Sequence, residues 1–454
     1  MTTTNNNTIQ LEGYSDNALR ILRNQSNSRI GAAHFIAMQD EYRADTNPNG
    51  YISLGIAENT LCFDILKDKL ITNPNFNQKL TQYSDMGGDL GFRKAICSLL
   101  QNTISKYQPT DSNLFIKPEE IVVSTGATPL LENSFNMFCN KDEICIIPSP
   151  FYPAFVYDAS MRFQVRVEPS SMEIFDKEGT VVDFRIDIED FDRIYRENPG
   201  KVKMVLLCNP CNPTGHIIKK QEIIQVVDWC REKKIHLLMD EIYALSVFNY
   251  DSDAVEFHSI YEILKGDLGE FVHLISGFSK DFCLNGYRAG YVYSQNKLVI
   301  KYLTCTSQFY TCSNITQSSI TNILTDSQFL NHFIKTNQSR LADAYNNAVE
   351  CLTKGGVPFI KSSSGVFLMV DLRKCLGQAT FEEEINLWND IFDECRVVLN
   401  PGIACKCKEP GFYRFIFSLN KETVRVGVER LSKLYNKLVN NRTDKYNNTN
   451  NKIC

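Results

Sequence analysis

Along the middle of the chain, short runs of aliphatic and β-branched residues alternate with longer stretches in which apolar residues recur every three or four positions. The first pattern predicts buried strands and the second predicts amphipathic helices, because side chains repeat every two residues in a strand and about every 3.6 in a helix. Strands are expected at IVVST (121–125), EICIIP (143–148), VKMVLLC (202–208), IHLLMD (235–240), FVHLIS (271–276) and RAGYVYS (288–294). Between the third and fourth, residues 219–234 set Ile223, Val226, Val227 and Cys230 on one helical face. Strand, helix, strand in that order is a crossover unit. Its recurrence predicts an α/β fold with a mainly parallel central sheet between helices.

The pattern changes after residue 325. A long helical stretch over 326–354 leads to apolar runs at 365–372 and 411–418, with a helix between them around FEEEINLWNDIFDEC. That order predicts a second, smaller α+β domain. The expected division is an N-terminal segment 13–70 packing with the small domain, a large domain 71–325 and a small domain 326–440. The ends, 1–12 and 441–454, are Asn-rich and apolar-poor. They are expected to be disordered tails, with too little apolar surface to offset the entropy of ordering.

A chain of 454 residues has ample capacity to bury a core. Its formal net charge of -5, with 22% charged residues, gives no sign of a polyanionic partner such as nucleic acid. No run approaches the roughly 18 apolar residues of a membrane span. The start, MTTTNNNTIQ, lacks the apolar stretch of a signal peptide, and the sixteen cysteines are scattered, so a soluble, cytoplasmic protein with reduced thiols is expected. Cys208 and Cys211 in CNPC have no second such pair and read as part of a turn; Cys405 and Cys407 are similarly isolated. Neither pair marks a metal site.

In open α/β sheets ligands sit beyond the carboxyl ends of the strands. The residues at those places are unusually polar here. Gly126, Ala127 and Thr128 follow the first strand at the start of a helix, where free N–H groups suit a phosphate. Phe151 and Tyr152 follow the second, Asn212 the third, Asp240 and Tyr243 the fourth, and Ser279 and Lys280 the fifth. Phosphate cradle, aromatic plate, amide, carboxylate, phenol and amine together fit one ligand, pyridoxal 5′-phosphate. A primary amine whose pKa burial can lower suits its aldehyde, and a carboxylate suits its pyridinium nitrogen. Asp240 would thus end an apolar strand because it faces a buried cation, while Glu241 is expected to make a structural ion pair or hydrogen bond.

NPCNPTG, DEIY, FSKDFCLNGYRAG and the late arginine in EPGFYRF resemble the fold-type I pyridoxal-phosphate enzymes, within them the class I/II aminotransferases, and most of all the 1-aminocyclopropane-1-carboxylate synthase branch. The likeness runs from about residue 51 to 418. It implies Lys280 as the lysine joined to the cofactor, Arg288 as a phosphate-binding arginine, and Asp240, Tyr243 and Asn212 as ring partners. It also implies Ala127 and Thr128 as the phosphate cradle, with Ser279 beside the lysine, and Phe151 as the stacking aromatic. Tyr83 would be lent to the phosphate site of a neighbouring subunit, which implies a homodimer with shared active sites. Arg414 would clamp the substrate carboxylate.

Three departures concern the substrate more than the cofactor. Gly277 stands where a serine is usual, Phe151 where the synthase branch has tyrosine, and only Arg162 and Arg166 remain of an arginine-rich segment. Glu58, in AEN, matches the synthase motif and suits a cationic sulfonium substrate. The resemblance therefore implies conversion of S-adenosylmethionine to the ethylene precursor 1-aminocyclopropane-1-carboxylate and methylthioadenosine, with amino-group transfer to a 2-oxo acid as the alternative. Both use the same cofactor residues.

Overall fold

A computed structural model of the chain describes residues 13–24, 29–72, 76–248 and 255–450. The tail expected at 1–12, and residues 451–454 of the tail expected at 441–454, lie outside the described residues. Seven strands make the central sheet: β1 (Ile121–Ser124), β2 (Ile144–Ser149), β3 (Arg166–Ser171), β4 (Val202–Cys208), β5 (His236–Asp240), β6 (Val272–Gly277) and β7 (Gly290–Tyr293). Their spatial order is β1-β7-β6-β5-β4-β2-β3. β7 is antiparallel to both neighbours and every other pairing is parallel, so six strands point the same way.

The inner strands are apolar on both faces because both faces are covered. Val123, Val205, Leu237 and Leu274 pack on one side with helix α2 (Lys220–Lys233), whereas Val122, Leu206, Leu238 and Ile275 pack on the other with helix α1 (Ala127–Phe138). The four α2 residues expected on one face, Ile223, Val226, Val227 and Cys230, are all buried. Six of the seven strands stand where the pattern predicts. The seventh, β3, escapes it: this edge strand carries Pro169 and buries only Ser170, so it has no apolar run to announce it.

Helix α3 (Ser327–Gly355) connects two cores. Its Leu330 and Phe333 pack in the sheet's core, and Leu341, Ala344, Ala348 and Leu352 in a second one. The second core also holds a four-stranded antiparallel sheet of β8 (Phe359–Ile360), β9 (Phe367–Asp371), β10 (Asn400–Pro401) and β11 (Phe412–Ile416), and helix α4 (Lys421–Asn450). Ala33, Ala37, Ile52, Leu54 and Ala57 of the N-terminal segment join this second core, whereas Cys62 and Leu66 join the first. The chain thus crosses between the cores at residues 57–62. α4 continues to Asn450, so 441–450 is helical where an irregular tail is expected; the stretch holds no glycine or proline to stop a helix. No helix among the described residues is long and apolar enough to cross a membrane.

Candidate active site

The register of the sheet lines up the carboxyl ends of its strands. Cys208 pairs with Asp240 and Asp240 with Ile275, while Ser124, Gly290 and Gly277 share one rung. At the β1 end, Gly126 turns the chain into α1 with φ of 92° and no side-chain cap, leaving N–H groups of the first turn for a ligand. Gly290 must be glycine, since a Cβ there would lie 2.5 Å from the Ala127 nitrogen. A Cβ on Gly126 would meet the Arg288 guanidinium at 2.7 Å. Arg288, Gly126, Ala127 and the exposed Thr128 therefore form one anion-suited corner. Gly277 is explained by packing: a Cβ would come within 2.9 Å of the Ala289 carbonyl oxygen.

Asp240 is 4% exposed and accepts a hydrogen bond from the Ile242 N–H at 3.1 Å. Burial pushes its carboxyl up to about 7. The next residue, Glu241, is equally buried but accepts from Ser259 Oγ at 2.7 Å and the Ile260 N–H at 2.6 Å, capping a short helix. Its expected structural role is thus filled by hydrogen bonds. Tyr243 is buried edge-on against Phe367 of β9, with ring centroids 5.1 Å apart, and burial raises its phenol well above the usual range.

Lys280 Nζ donates to the Ala57 carbonyl at 2.7 Å. Burial lowers its pKa to about 8; Arg414 and Arg288 act in the same direction, and Glu58 and Asp240 oppose them. One amine thus lies in the field of four site residues brought from both cores. Arg414, on β11, is 2% exposed and donates to Asn212 Oδ1 at 2.8 Å and to the Gly55 carbonyl at 2.7 Å. Ser279 is buried beside the lysine. Asp281 accepts from the Leu245 N–H at 2.9 Å and Ser246 Oγ at 2.6 Å, tying the lysine's loop to the loop that carries Tyr243.

Two expectations fare differently. Phe151 does not present a plate to this cleft: it is 1% exposed and packs in the α1-side core near Phe155, with its N–H on the Cys405 carbonyl. Tyr152 faces the cleft instead. Burial raises its phenol, and the charges acting on it are those of Arg414, Asp158, Asp240 and Arg288. Two adjacent residues of an extended segment point opposite ways, so only one aromatic could be turned to the ligand. Tyr83 is fully exposed and lines an open cavity of about 540 Å³ with Lys79, Asp85, Asn314 and Gln317, a lining that includes no residue of the Lys280 cluster. The remaining arginines of the depleted segment are occupied, Arg162 with Glu132 at 3.1 Å and Arg166 with Glu168 at 3.5 Å. Sequence reasoning placed Tyr152 beside the site but gave the stacking role to Phe151, and it missed Asp281. Nothing in SPFYP ranks one aromatic above the other, whereas an acid directly after the lysine was a signal open to reading.

The family model for aminotransferase class I and II matches residues 52–431, which spans both cores and every residue of this cleft. The chain belongs to that family. Among its relatives, 1-aminocyclopropane-1-carboxylate synthase 8 of Arabidopsis thaliana is 32% identical over 417 residues, covering 87% of this chain and 85% of that protein. 1-Aminocyclopropane-1-carboxylate synthase-like protein 1 of Homo sapiens is 31% identical over 404 residues, covering 87% and 78%. Aspartate aminotransferase from Thermus thermophilus with maleate superposes with a TM-score of 0.75 at 20% identity, covering 93% of this chain and all of that one, a likeness of fold.

The cofactor of this aminotransferase-family chain is pyridoxal 5′-phosphate. Its residues fit that group. Tyr243 Oη is buried without a hydrogen-bond partner in the protein, a phenol left for a ring oxygen. Asp240, desolvated and in the field of Lys280, suits a pyridinium. The uncapped α1 terminus with Arg288 suits the phosphate.

Proposed function

We propose that this chain converts S-adenosylmethionine into 1-aminocyclopropane-1-carboxylate and methylthioadenosine. The observation that carries the reading is the 2.7 Å hydrogen bond from Lys280 Nζ to the Ala57 carbonyl, which lays the AEN segment over the lysine and brings the Glu58 charge to bear on it. The synthase names of the relatives support the same reading.

Pyridoxal 5′-phosphate, when bound, supplies the electron sink that makes a substrate Cα–H acidic. Asp240 keeps its ring nitrogen protonated, and Asn212 and Tyr243 hold its ring oxygen. Tyr152 offers a ring face. Arg414 turns its guanidinium fork to the substrate carboxylate, for which its bond to Asn212 already sets the orientation. Lys280 Nζ, held near neutrality by burial, accepts the Cα proton. The electron pair left at Cα closes on Cγ, the Cγ–S bond breaks, and methylthioadenosine leaves as a neutral thioether. Glu58 attracts the sulfonium before that step. Tyr83, fully exposed, is assigned to the site of a second copy in a cytoplasmic homodimer.

Amino-group transfer is the second reading, favoured by one observation: every group around Lys280 other than Glu58 serves proton removal from any amino acid. Mass spectrometry of the products from yellow holoenzyme and S-adenosylmethionine tests both. Cyclopropane product with methylthioadenosine supports the proposal. Amino acid formed from a 2-oxo acid, with no cyclopropane product, overturns it in favour of transfer.

A further inference from the structure

We propose that Cys62 and Cys283 form a reversible disulfide that clamps the N-terminal segment onto the lysine loop. The two residues are 221 positions apart, and each sits within four residues of a group in the cleft: Cys62 after Glu58, Cys283 after Lys280. Their thiols point at one atom. Asn337 Oδ1, on α3, receives Cys62 Sγ at 3.5 Å, Cys283 Sγ at 4.0 Å and Asn59 Nδ2 at 2.8 Å. Asn337 Nδ2 in turn donates to the Asp281 carbonyl at 3.3 Å. This buried node gathers both loops, with the sulfurs side by side.

The pair is also chemically uneven. The neighbouring Cys283 thiol and, to a lesser degree, the Arg340 guanidinium draw the Cys62 thiol down against its burial. A lowered thiol beside a second, partly exposed thiol is an arrangement that favours closure of a disulfide once an oxidant reaches it. Cys62 is fully buried and Cys283 only partly, so a small oxidant enters past Cys283. With hydrogen peroxide, Cys62 takes one oxygen as a sulfenic acid and releases water, and the Cys283 sulfur then displaces a second water to close the S–S bond. Two thiols lose two hydrogens and two electrons, and one peroxide becomes two waters.

The consequence follows from the bonds that hold the segment. Lys280 and Asn285 both donate to the Ala57 carbonyl, at 2.7 and 3.4 Å, so a substrate reaching Lys280 must displace residues 57–58. A covalent link at 62–283 resists that displacement.

The test exposes holoenzyme to hydrogen peroxide, blocks free thiols and maps peptides without reduction. The expected result is a peptide pair joined through Cys62 and Cys283, with turnover reduced about tenfold or more and restored by dithiothreitol. Cys283→Ala keeps basal turnover and loses both the linked peptide and the inhibition; Cys62→Ser repeats this should the first variant fold poorly. Three results would overturn the proposal: free thiols at 62 and 283 under a dose that oxidises the exposed Cys305, inhibition that persists in Cys283→Ala, or linkage with unchanged turnover. The peptide map reads the link without reference to the reaction catalysed, so its failure is separate from failure of the synthase reading.

Discussion

The wall of the cleft built on the sheet edge presents Asp240, Tyr243 and Asn212, each less than 5% exposed, whereas the wall built from the N-terminal segment presents Glu58 exposed to solvent. The first wall is fixed by strand register and by side chains packed on both cores. The second is held through its carbonyls: Gly55 receives Arg414 and Asn400, Ala57 receives Lys280, and Glu58 receives Ser418. Desolvated groups on a rigid scaffold hold fixed positions around whatever binds between them. The N-terminal segment, packed through Leu54 and Ala57 and bonded through these carbonyls, carries Glu58, the residue proposed to tell substrates apart. On the proposed reading, shared chemistry lies in the sheet and discrimination on the strap.

The comparison breaks most completely at Lys280, where the two walls meet. Lys280→Ala removes both the covalent attachment and the base, so turnover should fall about 10⁴-fold or more. The yellow absorbance of the lysine-bound cofactor should disappear even where cofactor is retained. Covalent attachment surviving in that variant would show that another amine does the work. Asp240→Asn tests the sheet wall alone: cofactor should remain bound while turnover drops on the order of 10³-fold for every substrate. Glu58→Gln tests the strap alone. Cyclisation of S-adenosylmethionine should fall on the order of 10²-fold while any amino-group transfer stays within a factor of about three. Equal losses in both reactions would place Glu58 in the fold instead of in substrate choice.

The pH profile carries a smaller effect on the same residue that joins the walls. Lys280 titrates at about 8 because burial disfavours its charged form. Below that pH the amine binds a proton and can no longer accept one from Cα, so turnover measured at saturating substrate should fall about tenfold per pH unit on the acid side. A flat profile between pH 6 and 8 would mean that proton removal does not limit turnover.

Much of the sheet wall was legible in the sequence because its strands are buried on both faces and its polar residues end apolar runs. Asp240 stood out for that reason. The contact between Arg414 and Asn212 was not legible: 202 residues separate them, and only the packing of β11 against the loop after β4 brings them together. Nor did periodicity distinguish Tyr152 from Phe151, since orientation in an extended turn follows from what lies on either side. The edge strand β3 stayed hidden because an edge needs no apolar run. The strap gave its motif but not its mode of attachment, since a carbonyl that receives a side chain leaves no mark on its own residue.

Asp240 and Glu241 repeat the comparison within a single dipeptide, and the smallest prediction rests on them. Glu241→Ala leaves the Ile260 N–H without its acceptor and should lower stability by about 1–3 kcal/mol while leaving turnover per folded molecule unchanged. The loss should depend on pH. Burial raises Glu241 from its ordinary 4.5 to about 8, so over that interval the folded chain holds a proton that the unfolded chain has released, and stability falls as pH rises. Removing the carboxyl removes that slope, so the parent's advantage over the variant in denaturant melts should be greatest near pH 5 and shrink steadily as pH rises toward 9. Taking the difference between the two proteins cancels buried acids that do not act on Glu241, such as Asp281, whereas the adjacent Asp240 is coupled to it. A gap that widens with pH would mean that Glu241 is ionised in the folded protein, and that the site's negative charge is shared by two neighbouring carboxylates instead of residing on Asp240 alone.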